Sequence, residues 1–432
     1  MNVRYDSINP ELFIKNRRNL CKLLKKNSLA IFHSNDEMLR NGDCFFPFRQ
    51  NSDLLYLCGI DQEQSILLLF PDCPNPIYRE VLFVRKTSEQ IKIWEGPKYT
   101  KQEASQISGI KTVFWLENFN GILKLLTNGT QNIYVNQNEH DRVKSDVDSR
   151  NLRFTRKLKN QLPAHNFERV TPLVTGLREI KSSFEIDLMK QACSITEKGF
   201  RRILDFIKPG VWEYEIEAEV THEFINNRSN GHAYSPIFAS GKNACILHYT
   251  NNNQQCKNND LILMDFGAEY ANYASDLTRT VPINGRFSNR QKDIYNAVRK
   301  VMIMAIDMLV PGTLLDEFNK EIGKLIEHEL IHLGLLTKTE VKKQPSKNPL
   351  YKKYFPHGTA HFLGMDVHDV GNRYSPFKPG MVFTCEPGIY IPEEGIGIRI
   401  ENDILITENG PVDLMPSIPI EAEEIEDLMN QQ

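Results

Sequence analysis

Four carboxylates and a histidine in the second half of the sequence stand where isolated charges would be destabilising. Asp265 closes the run Leu261-Ile262-Leu263-Met264 and is followed by Phe266-Gly267, and Asp276 lies within Ala274-Ser275-Asp276-Leu277. Glu386 follows Met381-Val382-Phe383-Thr384-Cys385, and Glu401 ends Ile396-Gly397-Ile398-Arg399-Ile400. Apolar, β-branched runs of this length read as buried strands. A carboxylate buried there without a partner is strongly disfavoured or takes up a proton. A salt bridge accounts for one such acid; four of them, together with His361, are better accounted for by shared cations. The expectation is a hydrolytic two-metal centre held by Asp265, Asp276, His361, Glu386 and Glu401.

Four carboxylates and one imidazole form a hard, oxygen-rich donor set. Such a set favours manganese and tolerates iron(II), cobalt or zinc, and the lack of a thiolate cluster speaks against a structural zinc site. Calcium sites usually draw on one flexible loop with backbone carbonyls, not on separated strands. Two further histidines flank His361, in His357-Gly358-Thr359-Ala360-His361 and in Asp366-Val367-His368-Asp369. If the segment is a strand, His357 and His361 share a face because their separation is even. Three histidines within twelve residues, of eleven in the chain, point to function.

An internal repeat would position these groups. A long helical pattern begins near Ser182 or Ser183 and ends at Asp205-Phe206-Ile207-Lys208-Pro209-Gly210, and an amphipathic helix with Ile216, Val220 and Phe224 on one face follows. About a hundred residues later, Met308-Leu309-Val310-Pro311-Gly312 precedes a second amphipathic helix carrying Phe318, Ile322, Leu325 and Ile326. The order continues into the chemistry. His248 lies 17 residues before Asp265, with Asp276 11 later; His368 lies 18 residues before Glu386, with Glu401 15 later. Gly267 and Gly388 each follow the first acid by two residues. Two related halves around a pseudo-two-fold axis are expected.

Residues 1 to about 172 alternate strand-like and helical runs. Strands are expected at Ser28–His33, Ser65–Phe70, Glu80–Val84, Ile91–Trp94 and Asn132–Val135, and helices at Glu11–Lys26, Leu116–Leu126 and Asp148–Gln161. At 432 residues, two domains are the prior. The boundary is placed between an α/β domain, 1–176, and a catalytic domain, 177–432. The net charge of −3 disfavours a nucleic-acid or membrane footprint. No apolar run approaches transmembrane length, and Met1-Asn2-Val3-Arg4-Tyr5-Asp6 has no apolar signal core, so a cytoplasmic address is expected. The eight cysteines show no Cys-x-x-Cys spacing and read as buried reduced thiols, with Cys385 a packing residue.

Val367-His368-Asp369, the His-Gly-x-x-His-x-x-Gly run, Glu386-Pro387-Gly388 and Gly397-Ile398-Arg399-Ile400-Glu401 resemble the signatures of the pita-bread metallopeptidases. Within that family the likeness is to the aminopeptidase P group. It is strongest from about residue 178 to 410. It extends to Phe48-Arg49-Gln50-Asn51-Ser52-Asp53-Leu54-Leu55-Tyr56 and Ile93-Trp94-Glu95-Gly96-Pro97 in the N-terminal part.

The resemblance implies an α/β (α+β) chain: a creatinase-like N-terminal domain, then a pseudo-two-fold pita-bread catalytic domain. It implies a metal-dependent aminopeptidase that releases the N-terminal residue from peptides with proline in second position, through a hydroxide held by two divalent ions. Asp276 and Glu401 would bridge those ions, with Asp265 completing one and His361 and Glu386 the other. Glu386 would carry the proton, His368 would hydrogen-bond the carbonyl oxygen, and His248 would lie near the scissile nitrogen or the chain beyond it. Arg399 would hold the acidic ligands, and His357 and Tyr390 would wall the proline pocket. A homodimer or homotetramer is implied, with Arg49-Gln50-Asn51-Ser52-Asp53 reaching a neighbouring subunit's active-site rim.

Three rivals share this fold. A prolidase would cleave only Xaa-Pro dipeptides, and the Arg-Gln-Asn-Ser-Asp and Trp-Glu-Gly-Pro segments lean away from it. Creatine amidinohydrolase lacks the metal ligands, as do the proliferation-associated proteins, which are non-catalytic binding modules. Five intact ligand positions weigh against both.

Overall fold

A computed structural model describes residues 3–140, 142–345 and 347–431. Met1 and Asn2, the start of the segment read as lacking a signal core, lie outside the described residues. The chain divides into two compact units, residues 1–178 and 179–432. The 176/177 position expected as the boundary falls inside the helix Thr171–Arg178.

The first unit is built on a six-stranded mixed sheet. Its strands run in the order Thr112–Trp115, Glu80–Val84, Ile66–Leu69, Ser28–His33, Asn132–Val135, Asn166–Arg169. Ser28–His33 pairs antiparallel with Ile66–Leu69 and parallel with Asn132–Val135, and all three are buried throughout. Burial on both faces explains why they read as continuous apolar runs and not as alternating ones. Leu29, Ile31, Phe83, Phe119 and Ile133 form the centre of one core cluster.

Ile91–Trp94 is not the strand expected from its apolar content but part of the helix Glu89–Trp94. The Ser88 hydroxyl caps it by accepting from the Ile91 N–H at 3.1 Å, and Ile93 and Trp94 are about four-fifths exposed. A short apolar run fits either period, and the cap decides. The polar run expected at a subunit rim packs within this unit. Gln50 is buried and donates to Ile60 O and Gln62 O, and Asn51 caps the helix Ser52–Cys58. Asp53 accepts from Arg178 Nη1 at 2.7 Å.

In the second unit the expected repeat is physical. Helix Ser183–Phe206 starts on a Ser182/Glu185 capping box, and helix Asn289–Asp307 starts on a Ser288/Gln291 box. Each ends near a Pro-Gly whose glycine takes a left-handed backbone, φ 98° at Gly210 and 94° at Gly312. Few other residues tolerate that conformation. The helices that follow, Glu213–Asn226 and Leu315–His332, bury Ile216, Val220, Phe224 and Phe318, Ile322, Ile326, while Leu325 stays half-buried. Each helix pair leads to a three-stranded antiparallel sheet. The first is ordered Leu277–Pro282, Leu261–Phe266, Ile237–Ser240, and the second Val382–Cys385, Asn402–Thr407, Gly410–Asp413. The two halves join at Thr278, whose carbonyl accepts from the Glu401 N–H at 3.0 Å. Buried Arg279 reinforces the seam by donating to Glu401 O, Asn402 Oδ1 and Pro419 O.

Candidate metal centre

The first half contributes two acids from one hairpin. Strand Leu261–Phe266 pairs with Leu277–Pro282 so that Asp265 faces Thr278, and Asp276 immediately precedes the second strand. Gly267 makes this approach possible, because a Cβ there would lie 1.8 Å from the Ser275 carbonyl oxygen. The second half contributes Glu386, just past strand Val382–Cys385, and Glu401, between Ile396–Arg399 and Asn402–Thr407. Thr278 Oγ1 donates to Glu401 Oε2 at 2.6 Å, so the seam between halves also orients an acid.

His357 and His361 lie in an irregular segment and not on the strand expected from their even spacing, yet both meet Glu386. His361 is tied to strand Val382–Cys385: its N–H donates to Thr384 Oγ1 at 3.1 Å, and its carbonyl accepts from the Thr384 N–H at 3.0 Å. Its Nδ1 sits 3.0 Å from Phe362 O, which fixes Nδ1 as the donor. Nε2 then faces Asp276 Oδ2 at 3.4 Å and Glu386 Oε1 at 3.8 Å. His357 Nδ1 lies 3.5 Å from the other Glu386 oxygen.

Arg399, Tyr390 and His357 form a directed chain. Buried Arg399 donates to Asp265 Oδ2, to Thr278 Oγ1 at 3.1 Å and to Tyr390 Oη at 2.9 Å. Tyr390 in turn donates to His357 Nε2 at 2.8 Å, and His357 Nδ1–H donates to Gly358 O at 2.8 Å. Burial, then the charges of Arg399 and His248, pushes His357 down to about 3, so its ring is neutral. The His368 ring stands edge-on to His361 with centroids 4.5 Å apart. His248 is exposed and follows the turn Gly241–Cys245.

Sequence reasoning missed Tyr234. Its buried hydroxyl donates to Asp265 Oδ1 at 2.6 Å and also contacts Asp276 Oδ1. Burial and the neighbouring carboxylates raise its pKa well above the ordinary value, so it remains a phenol. Tyr234 lies three residues before strand Ile237–Ser240, whose first residue pairs with Asp265. Only that register, invisible in sequence, brings it to the acids.

The electrostatics are those of a site built for cations. Burial followed by the charges of Asp276, Glu386 and Asp265 raises Glu401 well above the carboxylate range. Burial raises Glu386 to about 7 against the pull of His361 and Arg399. Burial would lower His361, but its hydrogen bond to Asp276 and the charge of Glu386 lift it to about 9. Asp276, His361 and Glu401 each offer a ligand atom, and these atoms all lie within 4.8 Å of one another. Mutually repelling acids with an imidazole nitrogen among them, whose proton a cation would replace, fit divalent cations.

Comparison with known proteins agrees. A model of metallopeptidase family M24 matches residues 187–408, and one of the aminopeptidase P N-terminal domain matches residues 13–134. The chain is 35% identical to the Xaa-Pro aminopeptidase of Escherichia coli over 98% of each chain. It is 34% identical to that of Haemophilus influenzae over 97% of each. Among solved structures, E. coli aminopeptidase P superposes with a TM-score of 0.89 at 33% identity, covering 98% of this chain and 99% of that one. A zinc-substituted form of that protein in complex with product gives a TM-score of 0.87 over the same shares. The mixed α/β architecture is thus an aminopeptidase P-type N-terminal domain followed by a pita-bread domain.

Proposed function

The chain belongs to metallopeptidase family M24 and is a metal-dependent aminopeptidase that releases the N-terminal residue ahead of a proline; on that premise we propose that Asp265, Asp276, His361, Glu386 and Glu401 hold two manganese ions. The observation that carries this reading is the convergence of Asp276, His361 and Glu401 within 4.8 Å, with Glu386 against His361. Their oxygen-rich donor set favours manganese over softer metals. Bound there, such ions polarise the scissile carbonyl and lower the pKa of a water toward neutrality.

The protein's own groups do the rest. Glu386, held between His357 and His361 with its side chain 18% exposed, takes the proton from the attacking water. It passes that proton to the proline nitrogen as the C–N bond breaks. His368, edge-on to His361, hydrogen-bonds the carbonyl oxygen as it gains charge. By the family likeness, His248 would lie near the scissile nitrogen or the chain beyond it. Arg399 fixes Asp265 and, through Tyr390, sets the neutral His357 that walls the proline ring. An Xaa-Pro bond has no N–H and carries a rigid ring, so recognition by an apolar wall replaces recognition by a backbone donor.

The test is release of the N-terminal residue from Xaa-Pro-Xaa tripeptide and from Xaa-Pro dipeptide, with and without added manganese. Tripeptide cleavage should dominate and rise with manganese. Activity confined to the dipeptide would make the protein a prolidase.

We also propose cytoplasmic action as a homodimer or homotetramer. All eight cysteines are unpaired, which suits a reducing compartment. Self-association is supported by the hairpin Leu39–Asn41 and Cys44–Phe45, where Met38, Leu39, Phe45 and Phe46 are each half or more exposed. No helix among the described residues is long and apolar enough to cross a membrane.

A further inference from the structure

A second cluster of metal-ligating side chains lies on the helix Leu315–His332, outside the groups described above. Its last turn and a half reads His328-Glu329-Leu330-Ile331-His332, two histidines at i and i+4 with a glutamate between them. On a helix that spacing sets both imidazoles on one face. The rings meet edge-on with centroids 4.2 Å apart, and His328, Glu329 and His332 offer ligand atoms all within 4.8 Å of one another. Both histidines are exposed, so their rings can turn toward a shared ion, whereas Glu329 is buried and held. Lys300 Nζ donates to Glu329 Oε1 at 2.7 Å, which leaves Oε2 as the oxygen facing His332 Nδ1 at 3.9 Å. Beside the cluster runs a groove of about 360 Å³ between this helix and Asn289–Asp307, lined by Asp293, Asn296, Lys300, Glu329 and His332.

We propose that His328, His332 and Glu329 form a peripheral site for a nitrogen-preferring divalent transition metal such as zinc or copper. Two imidazoles and one carboxylate suit those ions, in contrast to the oxygen-rich centre, which favours manganese. Three protein ligands leave a coordination position facing the groove, where water or a small anion completes the shell. In zinc peptidases with this pattern the glutamate acts as the base. Glu329 is occupied by Lys300 and turned toward His332 as a third ligand, so the site binds metal and performs no hydrolysis.

The probe is zinc itself. Manganese-loaded wild-type protein and the His328→Ala/His332→Ala variant are dialysed against micromolar zinc, and bound zinc is counted per chain by mass spectrometry. Exchange at the manganese centre contributes equally to both, so the difference reports this site alone. We expect one additional zinc per chain in the wild type. The single variants His328→Ala and His332→Ala should each weaken that binding roughly tenfold or more. Both residues are exposed, so manganese-supported peptidase activity and the circular dichroism melt should be unchanged in the double variant and thereby certify its fold. Equal zinc content in wild type and double variant overturns the proposal. So does an additional zinc that survives both single substitutions.

Discussion

Tyr234 sets a single hydroxyl proton against two carboxylates, Asp265 and Asp276, and that sharing makes it a gauge of the site's charge. Removing the hydroxyl with Tyr234→Phe leaves Asp265 and Asp276 without this donor. Such a loss costs about 1–3 kcal/mol when the acceptors are buried. Where cations neutralise the acids, the hydroxyl matters less. The variant should therefore lower the Tm of chelator-treated protein more than that of manganese-loaded protein; equal shifts would show that Tyr234 does not respond to the acids' charge. Glu386→Gln tests the proton carrier. The amide keeps the shape but can neither take a proton nor balance the cations, so kcat/KM should fall by roughly 10²–10⁴-fold with little change in Tm. Wild-type turnover in that variant would remove Glu386 from the chemistry.

At the scale of elements, legibility followed burial. Ser28–His33, Glu80–Val84 and Asn132–Val135 were readable because their apolar runs are buried strands bounded by polar turns. The apolar acids were readable for the same reason: a carboxylate inside such a run is an anomaly that sequence alone displays. Elements set by local capping or by long-range register were not. Glu89–Trp94 is decided by Ser88, and the placement of Tyr234 by the pairing of Ile237 with Asp265. One strand also carries a titration. His33 ends Ser28–His33, packs on Phe154 with ring centroids 4.2 Å apart, and is pushed down to about 3 by burial and then by Arg150. In the unfolded chain a histidine titrates near 6.5. Between these values the unfolded chain binds the proton and the folded chain does not, so stability rises with pH across the window and is lost as pH falls from about 6.5 toward about 3. The loss from this group is on the order of 5 kcal/mol at the acid end. His33→Phe should flatten the Tm of the first unit between pH 6.5 and 4; an unchanged slope would show that His33 contributes nothing to acid sensitivity.

At the scale of the whole molecule, two properties depend on more than one chain segment. Self-association through the exposed hairpin should weaken in Phe45→Asp/Phe46→Asp, seen as a smaller mass by light scattering at unchanged metal content. Wild-type mass in that variant would exclude the hairpin as the contact. The central property is the proposed centre, where two halves of one repeat bring Asp276, His361 and Glu401 within 4.8 Å of one another. Its most direct measurement is a manganese titration of chelator-treated protein, with bound metal, tripeptide cleavage and circular dichroism followed together in wild type and Asp276→Asn. The two-ion centre predicts inactive but folded protein after chelation, because buried strands and helices supply the stability. Activity should return as occupancy approaches two ions per chain, and Asp276→Asn should fail to reach two. Full tripeptide cleavage by metal-free protein, or two tightly held ions in Asp276→Asn, would contradict it.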